Sequence, residues 1–173
     1  MVTRSRPCPI CEKHRGVGPL AGPVLWADDH AVVSHRPTSP ATGRVVAGYL
    51  FVESRAHVDR WQDLDAEQAG AIARASWTAA RLLAEHFGTH HVFSAIVGMR
   101  VQHFHQHVFV RHPGTPTTVP WHDPESWDES PRLDVAELDR CAASLRDRYS
   151  SMSRRDHGLA HADGASAEPG PTA

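Results

Sequence analysis

Residues 103 to 107 read His-Phe-His-Gln-His, and Val108 and Phe109 follow. Side chains alternate between the two faces of a strand. On a strand, His103, His105 and His107 therefore share one face, each about 6.5–7 Å from the next. Three imidazoles in a row offer a nucleophile, a proton donor, and a metal ligand or orienting group. Histidine suits these tasks because its unperturbed pKa lies near ~6.5. A neutral imidazole attacks phosphorus competently, and the phosphohistidine it forms hydrolyses readily. The same pattern also fits a pure metal site, or solvated histidines on an exposed sheet face. Composition alone favours these plainer readings, so the surroundings must decide.

A second group with chemical potential lies near the N-terminus. Cys8 and Cys11 form a Cys-x-x-Cys pair. That spacing is half of a zinc knuckle, but a redox pair or chance also produces it. The third cysteine, Cys141, falls in an expected helix and reads as a plain thiol. Three cysteines are too few for a disulfide scaffold. The chain holds 14 histidines, several of them between His86 and His112, so that stretch is where chemistry concentrates.

The elements that must position these groups can be read from pattern. Val24 to Asp28 and Ala31 to Ser34 read as a hairpin around Asp28-Asp29. Arg36 to Gly43 is a loop, and Arg44 to Glu53 reads as a buried strand. Asp65 can cap a long helix, with Gln68 as the reciprocal partner of a capping box. Ile72, Ala79, Leu83 and Phe87, with Ala75 and Ser76 between, form its apolar stripe, and Gly88 ends it. His91 to Ile96 and Val101 to Arg111 read as two strands around a tight turn at Val97-Gly98. A Pro-rich loop runs from His112 to Pro131. Asp134 to Tyr149 reads as a final helix with Val135, Leu138, Ala142 and Leu145 on one face. From Ser150 to Ala173 large apolar residues almost vanish, and a disordered tail is expected. The fold class is α+β, with an antiparallel sheet and helices on one side. Residues 1–149 are expected to form one domain.

Composition narrows the function classes. The chain has 173 residues, enough for one domain with a real core. Its formal net charge of -2 does not indicate a broadly basic nucleic-acid surface. No apolar run approaches the ~18–20 residues of a membrane span, and nothing behind the N-terminus reads as a signal peptide. The expectation is a cytoplasmic protein with neither nucleic acid nor membrane as partner.

The His103-x-His105-x-His107-Val108-Phe109 run resembles the signature of the histidine-triad superfamily. The likeness extends in register from about residue 8 to 111. Cys8 and Cys11 resemble the N-terminal zinc pair of many members. Trp26 to Val33 resembles their opening hairpin, and Gly48 to Val52, then His57, their third strand and the histidine after it. Trp61-Gln62-Asp63-Leu64 and the following helix fit as well. The resemblance implies a five-stranded antiparallel meander with one long helix, usually assembled as a homodimer. It implies a hydrolase or nucleotidyl transferase that cleaves at the α-phosphorus of a nucleoside phosphoramidate or dinucleoside polyphosphate. His105 would become nucleotidylated, and His107 would contact phosphate oxygens and help the leaving group depart. Cys8, Cys11, His57 and His103 would bind a structural zinc ion.

The sequence also departs from the family. Tyr49 stands where many members have a further histidine. Arg36 stands where an acidic residue often meets the ribose, and reads either as a phosphate contact or as an exposed loop residue. The turn between the last two strands is shorter, so Ser94 and Gln102, with Tyr49 and His103, are the available substrate contacts. Trp121 and Trp127 mark a loop that either stacks on a base or packs the C-terminal helix. These departures motivate an alternative, a nucleotide-binding sensor that keeps the pocket without turnover.

Overall fold

A computed structural model describes residues 8 to 162, with side chains to residue 156. A short helix α1 (Pro9–His14) precedes the hairpin of β1 (Val24–Ala27) and β2 (Ala31–His35). Two strands follow, β3 (Val45–Val46) and β4 (Tyr49–Ser54). The long helix α2 (Ala66–Phe87) leads to β5 (Val92–Ala95) and β6 (His105–Val110). β7 (Arg132–Leu133) and α3 (Val135–Ala162) complete the chain.

The expected five-stranded antiparallel sheet, long helix and C-terminal helix are all present, with strand order β1-β2-β4-β6-β5. The last two strands are not a plain meander: β6 inserts between β4 and the edge strand β5. This puts the histidine strand beside β4, in the middle of the sheet. β3 and β7 form a separate two-stranded ribbon.

Alternation along β4 and β6 divides the sheet into two faces. Leu50, Val52, Val108 and Val110 turn to the helices and pack with Ile72, Ala75, Ala79, Leu82 and Leu83 of α2 and Ala142, Leu145, Tyr149 and Met152 of α3. Burying such side chains gives roughly 1.5–3 kcal/mol each, and this shared core fixes the sheet. Tyr49, Phe51 and Glu53 of β4 point the other way, paired with Phe109, His107 and His105 of β6. The helices leave that face open, and the functional groups gather on it.

α2 starts and stops where the sequence indicates. Asp65 and Gln68 form both bonds of a capping box, and Gly88 closes the helix in the left-handed region at φ 61°. Four expectations are corrected. The buried strand over Arg44 to Glu53 is broken at Ala47-Gly48 into β3 and β4. Gly48 has φ +72°, and a Cβ there would lie 2.6 Å from Phe87 Cε2 and 2.7 Å from Val110 Cγ2, so only glycine fits the crossing. The turn after β5 is not tight: residues 96–104 form a loop, and β6 begins at His105. α3 continues through residues 150–162, where a disordered tail was expected, because Met152 still has core to fill. The rest of that expected tail, 163–173, lies outside the described residues. Val135 is 59 % exposed at the first turn of α3, not on its buried face.

Behind the open face, His35 is fully buried. Its Nδ1 donates to the Arg36 carbonyl at 2.8 Å, and its Nε2 accepts from the Gly48 N–H at 3.1 Å. Burial pushes its pKa down to about 4, and the His107 ring is pushed down to about 4 as well, again chiefly by burial. Both rings stay neutral in the folded chain yet take up protons when it unfolds. The stability they provide is complete above about pH 6.5 and declines as pH falls from there toward 4. Denaturant titrations across this window should show that acid loss. His35→Gln should shallow the slope, while costing about 1–3 kcal/mol at neutral pH through disturbed buried hydrogen bonds. An unchanged slope would contradict the account.

Candidate active site and metal centre

The open sheet face forms the floor of a cleft of about 370 Å³. His105 and His107 line it with Phe51 and Glu53. α1 contributes Ile10 and Lys13, the loop after β2 contributes Arg36 and Pro37, and the loop before β6 contributes Arg100 and Val101. Four cationic side chains, Lys13, Arg36, Arg44 and Arg100, stand against two carboxylates, Glu53 and Glu125. Such a balance in a partly desolvated cleft attracts anions.

His105 and His107 sit one turn of the pleat apart, with ring centroids separated by 5.2 Å. His105 Nδ1 lies 2.7 Å from the His103 carbonyl oxygen. A carbonyl only accepts, so Nδ1 carries the proton and the lone pair is on Nε2, the atom left free toward the cleft. His107 Nδ1 lies 2.9 Å from the Tyr49 hydroxyl. Burial pushes the Tyr49 pKa up, so the phenol keeps its proton and can donate it to Nδ1. That bond would leave the ring proton of neutral His107 on Nε2. With it the two rings are opposite tautomers: one offers a lone pair, its neighbour an N–H. Tyr49 is itself held by a ring stacked on Phe109 at 5.1 Å and by the Arg36 guanidinium 4.9 Å from its centroid.

His103 does not share the strand face with the other two histidines. It precedes β6, is fully buried, and turns toward α1. Its Nε2 donates to the Ser54 carbonyl at 2.7 Å, so Nδ1 carries a lone pair. Nδ1 lies 3.4 Å from Cys8 Sγ and 3.5 Å from Cys11 Sγ. His57 Nδ1 lies 3.4 Å from Cys11 Sγ, while its Nε2 faces Asp59 Oδ1 at 3.1 Å. All four ligand atoms lie within 4.8 Å of one another. For metal–sulfur bonds of ~2.3 Å and metal–nitrogen bonds of ~2.05 Å, the sulfur–nitrogen edge of a tetrahedron is about 3.6 Å. The donor set therefore fits a four-coordinate metal ion, and both outer ring nitrogens have the partners that fix such ligands. Burial and the neighbouring Cys8 push the Cys11 thiol pKa up, and a cation between the sulfurs is what reverses that.

Beside this cluster, α1 places Lys13 and His14 on Glu53. Lys13 Nζ is 2.7 Å from Glu53 Oε1 and His14 Nε2 is 3.0 Å from Oε2. Burial acts to raise the Glu53 pKa, but His14 and Lys13 outweigh it and hold the group as a carboxylate.

Several expected substrate contacts are corrected. His103 is enclosed, with both ring nitrogens in use. Ser94 pairs with Val108 on the helix side of the sheet and accepts from Gln106 Nε2, so it faces away from the cleft. Gln102 is exposed in the 96–104 loop, which presents Arg100 and Val101 to the cleft instead. Tyr49 is buried behind His107 and meets its Nδ1 through the hydroxyl. Trp121 packs on Phe93 of the edge strand at 5.6 Å, and Trp127 lines the same crevice; the cleft is lined from this loop by Glu125, which meets Arg36 at 3.2 Å. Lys13, Glu53 and Arg100 were not visible as site residues, since a lone charge carries no pattern.

No model of a known protein family matches the sequence. Solved structures do match. A hypothetical histidine-triad nucleotide-binding protein from Sulfolobus tokodaii is 13 % identical with a TM-score of 0.64, over 86 % of this chain and 95 % of its own. A zinc-bound histidine-triad protein from Mycobacterium smegmatis is 17 % identical with a TM-score of 0.62, over 86 % and 97 %. The chain has the histidine-triad fold. A diadenosine triphosphate hydrolase from Plasmodium falciparum shares it at 14 % identity and a TM-score of 0.51, over 80 % of each chain.

Within this fold a metal ion held by Cys8, Cys11, His57 and His103 would tie α1 to the sheet. Cys11→Ala and His57→Ala should purify without the metal expected in the parent protein. A loss of about 3 kcal/mol would lower the thermal midpoint by roughly 6–12 °C for a chain of this size. Metal analysis together with melting curves checks this, and metal-free parent protein with an unchanged midpoint would refute it.

Proposed function

We propose that the protein is a nucleotide hydrolase or nucleotidyl transferase acting through His105. The observation that carries this reading is the hydrogen-bond pattern of the two rings in the cationic cleft, His105 Nδ1 on the His103 carbonyl and His107 Nδ1 on the Tyr49 hydroxyl, which we read as an Nε2 lone pair on His105 beside an Nε2–H on His107. His105 Nε2 attacks the α-phosphorus of a nucleoside phosphoramidate or dinucleoside polyphosphate. A phosphorus–nitrogen bond forms as the bond to the leaving group breaks, and the leaving group departs with the electron pair and takes up a proton. The His107 N–H binds a phosphate oxygen as negative charge develops, and Arg36 and Arg100 supplement it. Water or another acceptor then attacks phosphorus and releases His105. A neutral nucleophile avoids the repulsion that an anionic one meets at a phosphate, and the covalent intermediate splits one hard step into two.

The metal of this reading is zinc, with Cys8, Cys11, His57 and His103 as its four ligands. Four protein ligands close the shell, so the ion is structural. It holds His103, whose carbonyl fixes the His105 tautomer. The working form is a homodimer, as the sequence resemblance implies, and the cytoplasm is its expected location. A second reading, a nucleotide sensor without turnover, is favoured by one observation: Ser94 and Gln102 do not reach the cleft.

The two readings separate by mass spectrometry. Protein quenched during turnover of a phosphoramidate and dinucleoside polyphosphate panel should carry a nucleotidyl adduct on His105. His105→Asn should form none. No turnover and no adduct across the panel would leave the sensor reading. Tyr49→Phe should lower kcat about tenfold, the equivalent of one buried hydrogen bond. Unchanged kcat in that variant would remove Tyr49 from the account.

A further inference from the structure

Glu53 presents a difficulty for an anion-binding cleft. It is the cross-strand partner of His105, lines the cleft floor, and has a side chain only 2 % exposed. A buried carboxylate beside the nucleophile repels the phosphate that must approach it. Among the described residues its charge is balanced from one element, α1, by the Lys13 ammonium at 2.7 Å, with His14 Nε2 in hydrogen-bond contact at 3.0 Å. α1 is six residues long, far too short to be stable by itself. It carries Cys11 and follows Cys8, so a metal in the cluster would anchor it to the sheet together with the buried Ile10. The His14 ring also stands edge-on to the ring of His103 at 5.4 Å.

We propose that the metal site controls phosphate binding through Glu53: docking of α1 brings Lys13 and His14 onto this carboxylate and turns the cleft floor from repulsive to receptive. The inference rests on the proposed function only in taking phosphate as the ligand. Lys13 is a positioning residue, since its ammonium is spent on Glu53 and its side chain is only 2 % exposed. It also packs 4.7 Å over the Phe51 ring, which in turn meets the rings of His107 and His105, so its placement shapes the floor as well as its charge. In this account the knuckle is more than a staple. Loss of metal frees α1 and leaves an uncompensated buried charge, which costs far more than the ion pair itself contributes.

The test measures binding by calorimetry, with AMP, GMP and inorganic phosphate as probes. Four proteins are compared, each zinc-loaded and chelator-stripped: the parent, Glu53→Gln, Lys13→Met, and the double variant Lys13→Met/Glu53→Gln. The loaded parent should bind, and stripping should weaken it at least about tenfold, as one like charge at close range does. Stripped Glu53→Gln should recover most of that loss. Loaded Lys13→Met should bind as weakly as the stripped parent, and the double variant should be restored. The double variant keeps the test sound if Lys13→Met alone folds poorly. Stripped Glu53→Gln that binds no better than the stripped parent would overturn the inference, as would a double variant no better than Lys13→Met. Failure of these rescues alongside an adduct on His105 removes the inference and leaves the function standing. Rescue without any adduct removes the catalytic reading and leaves the inference standing. No probe binding to the loaded parent would overturn both.

Discussion

His103 is held from three sides. Its Nε2 donates to the Ser54 carbonyl, its Nδ1 meets the two cysteine sulfurs, and its own carbonyl accepts from His105 Nδ1. The last of these bonds, 2.7 Å long, decides which nitrogen of His105 carries the lone pair. The rest of the site depends on it. If the proton moved to Nε2, the ring facing the cleft would be a donor like its neighbour, and nothing there could attack. In the proposed function a structural metal would thus be linked to chemistry it never touches, through one residue that gives its ring to the cluster and its carbonyl to His105.

The cleft shows how a fold tolerates local changes in its working residues. Burial is the main cause that keeps His107 neutral, and the charge of Arg36 reinforces it. Glu53 on the floor is offset by Lys13 and His14 from another element. Glu53, Arg36 and Arg44 each pair with a group from a different segment, so the site assembles only when those segments are docked. The apolar core on the other face makes that docking unambiguous, because a one-residue slip of β6 would exchange His105 and His107 for Gln106 and Val108.

Much of this was legible in the residue pattern. The Asp65/Gln68 box and Gly88 bound α2 because caps are local rules. His105 and His107 alternate on β6 as written, and the four metal-ligating positions, inferred from resemblance, do converge. What stayed hidden depends on long-range geometry. His103 leaves the strand because Phe104 takes a core position and its N–H bonds the Val58 carbonyl, far away in sequence. The break at Gly48 is set by Phe87 and Val110, neither of them nearby in the chain. Glu53 reads as the polar end of a strand, and Lys13 falls in a stretch rich in Pro, Gly and charge that reads as irregular. Their pairing spans 40 positions and leaves no periodic trace.

The central claim concerns one proton, and it can be observed directly. Imidazole nitrogen–proton correlation spectra of the metal-loaded protein distinguish the two neutral tautomers of each histidine by their ¹⁵N shifts. The account predicts that His105 is protonated at Nδ1 with a bare Nε2, and that His107 is protonated at Nε2. Finding the His105 proton on Nε2 in the loaded, ligand-free protein would contradict it.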